Sequence, residues 1–122
     1  MASLNRCQFI GNVGVTPEVK GTQDAGKIAK FRIACTERRN GRDGQTIEVT
    51  EWVPIVAWGK LADIAERYVE KGAQIFVEGR LRTREWTDQN GNKRYTTEIV
   101  ADNIQLLGKP AKQTTNYSGD PF

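Results

Sequence analysis

Residues 61–86, LADIAERYVEKGAQIFVEGRLRTREW, contain the change of period on which the fold reading turns. In the first part, Leu61, Ile64, Ala65, Tyr68 and Val69 recur at i, i+3, i+4, i+7 and i+8, the stripe of a short amphipathic helix that covers a core. Gly72, just after Lys71, is a natural stop for it. From residue 74 strict alternation takes over. The strand predicted over 74–86 puts Ile75, Val77, Gly79 and Leu81 on one face, and Phe76, Glu78, Arg80, Arg82, Arg84 and Trp86 on the other. At about 3.3 Å per residue it spans roughly 43 Å, well beyond a usual strand, so its far end is expected to leave the body of the fold as an arm.

Working outward, alternation predicts strands over 4–13, 28–38 and about 47–58 before the helix, and over 94–107 after the long strand. A Gly/Thr/Pro-punctuated connection follows the first strand. In the second, Phe31, Ile33 and Cys35 share one face, and Lys30, Arg32 and Arg38 share the other. The stretch 40–44, Asn-Gly-Arg-Asp-Gly, reads as a polar loop. Residues 84–99 read as a β-hairpin around the turn 88–92, Asp-Gln-Asn-Gly-Asn, and form the tip of the projecting arm. From Gly108 onward Lys, Pro, Gln, Thr, Asn, Ser and Gly dominate, a composition expected to stay disordered. The order β-β-β-α-β-β predicts an all-β domain with one short helix: a five-stranded OB barrel over 1–108 with a protruding hairpin arm, followed by a short tail over 109–122.

The 122-residue length suits one core, and the composition, 38% hydrophobic and 27% charged, suits a soluble domain. No apolar run reaches membrane-spanning length and the start lacks a signal-peptide pattern, so the chain is expected in the cytosol. The sequence has no histidine, which removes Ser-His and Cys-His pairs and most zinc sites. Carboxylates are scattered, with no Asp-x-Asp cluster. Neither an enzyme nor a cofactor or metal site is expected. Cys7 and Cys35, far apart in strand-like segments, are expected to be buried free thiols.

Strand parity then gathers the chemistry. Trp52, Pro54, Val56 and Trp58 lie opposite the apolar face of Val53, Ile55 and Ala57, so all three tryptophans fall away from the expected core. Trp86 shares its face with Arg80, Arg82 and Arg84, and Lys93, Arg94 and Tyr95 follow the turn. A net charge of +3 is modest, but this stripe concentrates it. Flat π surfaces beside cations suit a flexible polyanion with exposed bases, the pattern of sequence-independent single-strand binding.

The run from Trp86 to Glu98, Thr50-Glu51-Trp52, Gly59-Lys60-Leu61-Ala62, Gly11-Asn12-Val13-Gly14 with Pro17-Glu18-Val19, and 77–83, Val-Glu-Gly-Arg-Leu-Arg-Thr, together resemble the bacterial single-stranded DNA-binding protein (SSB) family. Together these cover nearly all of residues 4–107 in the family's order. The resemblance implies a homotetramer of OB folds that wraps and protects single-stranded DNA in replication, recombination and repair, associated with the nucleoid. By position Trp52 and Trp86 match base-stacking tryptophans, and Trp58 falls where the family commonly has a stacking phenylalanine. Arg32, Arg39, Arg80, Arg82, Arg84, Lys93 and Arg94 are the expected phosphate or arm contacts, with Arg39 standing where some members carry a further tryptophan. The family's acidic end, which docks replication and repair proteins, is represented here by Asp120, Pro121 and Phe122 with a single acid. Two other readings of the same barrel are an RNA-binding module of the cold-shock or translation-factor kind, which predicts RNP-like aromatic motifs not found here, and a primosome-type protein-interaction adaptor.

Overall fold

Alternating apolar and polar residues give six strands, one more than expected. The computed structural model describes residues 1–22 and 26–109; Asp120, Pro121 and Phe122, and with them the expected tail, lie outside the described residues. In chain order the elements are β1 (Cys7–Val13), β2 (Glu18–Thr22), β3 (Gly26–Asn40), β4 (Thr46–Trp58), α1 (Lys60–Tyr68), β5 (Gln74–Thr87) and β6 (Lys93–Gly108). The sheet runs β1-β5-β6-β4-β3 and closes on itself where Asn12 and Val13 of β1 pair with Ala34 and Ile33 of β3. This is the five-stranded OB barrel with its helix between the third and fourth barrel strands. β2 is the correction. It lies in the stretch read as a connection and pairs with the start of β3, Glu18 opposite Lys30, on the edge that β1 takes further along. Pro17 before it, its shortness and its polar residues conceal it in the sequence; it adds an edge strand outside the barrel.

The core follows the predicted faces. Ile33, Ile55, Ile75 and Val77 are fully buried, and Phe31, Ala57 and Ile99 pack with them. Truncating such a side chain to alanine typically costs about 2–5 kcal/mol, because a barrel this small is filled by its own side chains. α1 packs against β3, β4 and β6. Its inward face is displaced from the predicted stripe: Ala62, Ala65 and Val69 are buried, whereas Tyr68 is exposed. Small residues let the helix sit close over the barrel end. Lys27 of β3 anchors it, reaching Asp63 at 3.1 Å and Glu66 at 2.6 Å. Gly59, at φ 61°, turns the chain from β4 into the helix. Cys7 and Cys35 are free thiols, but half-buried rather than fully buried; Cys35 Sγ donates to the Ile10 carbonyl at 3.4 Å.

Two ribbons leave the barrel. β5 and β6 continue as a pair from Gly79 opposite Ala101 to Thr87 opposite Lys93, the predicted arm. Leu81, assigned to the core by parity, is exposed at the root of the arm, past the end of the β1 pairing, although Ile99 opposite it is buried. β3 and β4 make a second arm, paired as far as Asn40 opposite Thr46 and closed by a turn in which Gly41 N donates to Gln45 O at 2.6 Å. The sequence predicts the two strands as far as 38 and from about 47, with the polar loop 40–44 between them, but not that their ends stand out as an arm. At the root of the first arm the register shifts: Glu78 faces Asn103 and Gly79 faces Ala101, leaving Asp102 as a bulge. The inward face of β6 accordingly jumps from Ala101 to Ile104. Gly79 is what the bulge requires. A Cβ there would collide with the Val100 carbonyl oxygen and stand 3.0 Å from Ala101 Cα. On the other flank Asn5 ends the β1–β5 ladder with its side chain, donating Nδ2 to Leu81 O at 2.8 Å and accepting Leu81 N at 2.9 Å.

The tip of the arm is held by one carboxylate. Asp88 accepts Asn90 N and Asn92 N at 2.9 Å each, and Arg94 Nε at 2.8 Å. The Arg94 guanidinium first, and the backbone donors after it, hold the Asp88 carboxyl below the usual aspartate range. Gly91, at φ 83°, completes the turn.

Gly79→Ala is expected to lose about 1–3 kcal/mol of stability in urea unfolding through this backbone collision. Gly21→Ala, on β2 with open space around it, should change stability by no more than about 0.5 kcal/mol. Because the folded-state value of Asp88 is lowered, its contribution is complete above the unfolded aspartate value and is lost as pH falls through the folded one. Carboxyl NMR should therefore show Asp88 titrating below the same residue in a peptide of residues 86–95. Amide exchange at Asn90 and Asn92 should quicken across that window; a midpoint at or above the peptide's would contradict the clamp.

Candidate nucleic-acid interface

Register carries the functional side chains onto one continuous surface. Across β3 and β4, Trp58 lies opposite Ile28, Val56 opposite Lys30, Pro54 opposite Arg32 and Trp52 opposite Ala34. β4 then runs parallel to β6 with Val56 beside Val100. Across β6 and β5, Val100 faces Arg80, Glu98 faces Arg82, Thr96 faces Arg84 and Arg94 faces Trp86. Since side chains alternate along each strand, these residues share the face away from the barrel core. The structure thus brings Trp52, Trp58 and Trp86 together on one face.

Each platform is held in a particular way. The Trp52 indole brings the rim of its six-membered ring, Cζ3 foremost, against Gly14, which has no Cβ to keep it off; the Gly14 backbone is itself fixed by donating to Arg32 O at 2.9 Å. Trp86 donates Nε1 to Thr96 Oγ1 at 2.9 Å across the arm. Trp52 is 53% exposed and Trp86 42%, while Trp58 is half-buried at the foot of β4. Ring faces of this size and accessibility can stack on planar aromatic bases.

The cations are less free than the sequence suggests. Arg80 pairs with Asp102 at 3.6 Å, and Arg94 with Asp88 at 2.8 Å. Arg82 Nη2 meets Glu98 Oε2 at 2.6 Å, and Arg84 Nε meets the same oxygen at 3.3 Å. Glu98 is only 3% exposed and is the acid on which both arginines converge. Lys93 faces the other way: it pairs with Thr87 in register and lies 3.8 Å from Glu85 on the reverse side of the arm. Arg39 also falls on the opposite parity, with Ile47 across from it, so it does not stand beside Trp52. One step along a strand exchanges faces, and the Arg38–Arg39 pair straddles that step. Arg38, on the Trp52 side, is paired with Glu48 at 3.1 Å.

Between β3 and the arm the surface deepens into a groove of about 460 Å³, with Lys30 and Arg32 on one wall, Arg84, Thr96 and Glu98 on the other, and Pro54 and Val56 between. Arg32 and Lys30 are exposed and make no ion pair among the described residues. Glu98, Gly14 and Thr96 are not among the site residues expected from the sequence, although Gly14 and Glu98 close two of the motifs that carry the resemblance. Counting back in twos from Trp86 opposite Arg94 would have placed Glu98 across from Arg82, but nothing in the sequence announces its burial. Among the described residues no group of three His, Cys, Asp or Glu side chains could hold a metal ion.

The model of the single-strand binding protein family matches residues 4–107. Single-stranded DNA-binding protein 1 of Xylella fastidiosa is 47% identical over 121 residues, 98% of this chain and 88% of that protein. Single-stranded DNA-binding protein 1 of Chlorobaculum tepidum is 45% identical over 106 residues, 86% of this chain and 65% of that protein. Among solved structures, a Plasmodium falciparum SSB in complex with ssDNA matches with a TM-score of 0.80 at 30% identity, over 88% of this chain and 97% of that one. By the family match across its whole barrel and by relatives of this similarity, the chain belongs to the single-strand binding protein family.

Proposed function

We propose that this protein binds single-stranded DNA without a sequence code and protects it during replication, recombination and repair, with no catalytic step of its own. The observation that carries the reading is the continuous face on which Trp52, Trp58 and Trp86 flank a groove walled by Arg32, Lys30 and Arg84. Every base has a π face, so stacking tolerates any sequence; in single-strand-binding OB proteins, the type case of this interaction, it is worth about 1–3 kcal/mol per base. Duplex DNA hides those faces. Arg80, Arg82, Arg84 and Arg94 serve as phosphate contacts or as braces of the arm, by exchanging or sharing the carboxylates they now hold. Lys93 and Arg39, on the reverse parity, suit a strand that wraps around an arm.

Family membership supports a homotetramer, with residues 1–108 as the binding domain. It also supports a role for the segment 109–122 in docking replication and repair proteins through Asp120, Pro121 and Phe122, and work in the cytoplasm at the nucleoid.

Adding oligo(dT) is expected to quench tryptophan fluorescence, with weaker binding as salt rises, while duplex DNA of the same length should quench little. Absence of quenching by oligo(dT), or equal quenching by the duplex, would overturn the reading; stronger binding to oligo(rU) would favour an RNA-binding module. Trp86→Ala should lose about 1–3 kcal/mol of binding with the fold intact. Leu61→Ala, on the helix away from the interface, should lower stability and leave the affinity of the folded fraction unchanged.

A further inference from the structure

The groove between β3 and the first arm contains two carboxylates in opposite situations. Glu18 stands exposed at its rim, with no cation bonded to it among the described residues. Glu98 is 3% exposed and is bonded by two arginines. Its geometry is unequal. Arg82 takes Oε2 at 2.6 Å, whereas Arg84 approaches through Nε alone, 3.3 Å from Oε2 and 3.5 Å from Oε1. The two terminal amino groups of Arg84 have no acceptor among the described residues, and Arg84 lines the groove opposite Lys30 and Arg32.

We propose that Glu98 is a positioning residue for Arg84, and that the groove takes one phosphodiester of a single strand between Arg84 on β5 and Lys30 and Arg32 on β3. This inference rests on the single-stranded DNA binding proposed above and assigns a part of it. A guanidinium held at Nε by a carboxylate keeps its outer two-pronged edge free, and that edge matches two phosphate oxygens. Lys30 and Arg32 supply only donors from the other wall, and a phosphodiester supplies only acceptors. A base edge needs both kinds of partner; on the groove floor the buried acceptor, Glu98, is already engaged by two arginines, and the carboxylate of Glu18, unpaired among the described residues, stands at the exposed rim. Pro54 and Val56 line the groove between the walls with apolar surface that forms no competing hydrogen bond through its side chains. The backbone therefore crosses the barrel here, and the bases turn outward toward Trp52 and Trp86.

The proposal predicts opposite signs for two substitutions that change charge alike. Both Glu18→Gln and Glu98→Gln remove one negative charge from the groove. In salt-dependent oligo(dT) titrations read by tryptophan quenching, Glu18→Gln is expected to bind a few-fold more tightly than the unaltered protein. Glu98→Gln is expected to bind about tenfold more weakly, because Arg84 is released from its orientation. Arg84→Ala should flatten the slope of log K against log salt by roughly 0.7, and Lys30→Ala with Arg32→Ala by about twice that. The loss from Glu98→Gln should be clearly smaller once Arg84→Ala is present, what remains being the part that acts through Arg82. Tighter binding by Glu98→Gln, or an additive loss in the double variant, would overturn the positioning role. Unchanged slopes for the Arg84 and Lys30/Arg32 variants would overturn the phosphate site. If Glu98→Gln proves unfolded by circular dichroism, Arg84→Lys decides the positioning role: it keeps the charge but loses Nε, and should bind about tenfold more weakly, with equal affinity counting against the proposal. Failure of the unaltered protein to bind oligo(dT) would be a failure of the function itself, visible before any variant is compared.

Discussion

The close passage of Gly79 beneath the Val100 carbonyl is the constraint on which the rest of the molecule depends. β5 has to be two things at once. From Gln74 to Gly79 it is a barrel stave between β1 and β6, with Ile75 and Val77 in the core; beyond Leu81 it is one side of a free ribbon. A two-stranded ribbon twists more strongly than a barrel wall, and the change has to be taken up at their junction. The extra residue at Asp102 takes it up, and only a residue without a side chain lets the two backbones come close enough there. The parity of β6 beyond the bulge, the burial of Ile104 and the direction in which Arg80 and Arg82 point are all consequences.

The electrostatics of the interface are better described as held charge than as free charge. Four of the arginines on the tryptophan face, Arg80, Arg82, Arg84 and Arg94, each lie beside a carboxylate. At the exposed pairs the gain in stability is slight, because water screens the charges and holding long side chains in place costs entropy. Glu98 is different, because a buried acid stripped of its partners would be strongly unfavourable. It ties neighbouring positions of β5 to β6 and stiffens the base of the arm, so that the ribbon leaves the barrel in a defined direction despite having no further strand on either side.

Much of this was legible from residue order. The shift from helical to alternating spacing between Val69 and Ile75 gave the helix and the strand that follows it, and the turn from Asp88 to Asn92 gave the hairpin, because these signals are local and repeat several times. Parity put the three tryptophans on one face for the same reason. β2 escaped, since five residues with a proline before them carry too little pattern to separate from a connection. The second arm escaped because Glu37–Asn40 is polar on both faces, so that Ile47 and Val49 of the partner strand lie opposite Arg39 and Glu37 with no apolar stripe to mark a pair. Arg39 and Lys93 were grouped with cations that point the opposite way; net charge along a sequence does not record which side of a strand a residue occupies. The burial of Glu98 depends on register across two strands and on the groove behind them, information no single segment holds.

The indole of Trp52 meets Gly14 through the rim of its six-membered ring, Cζ3 foremost, so it is braced at its edge. A base stacking on it, as proposed above, would meet a ring whose tilt has already been fixed within the protein, and would not have to dislodge that brace in order to leave. Such a contact would grip at equilibrium yet open in small steps. That is the mechanical property a covering protein needs if the strand beneath it is to be passed along to whatever acts on it next.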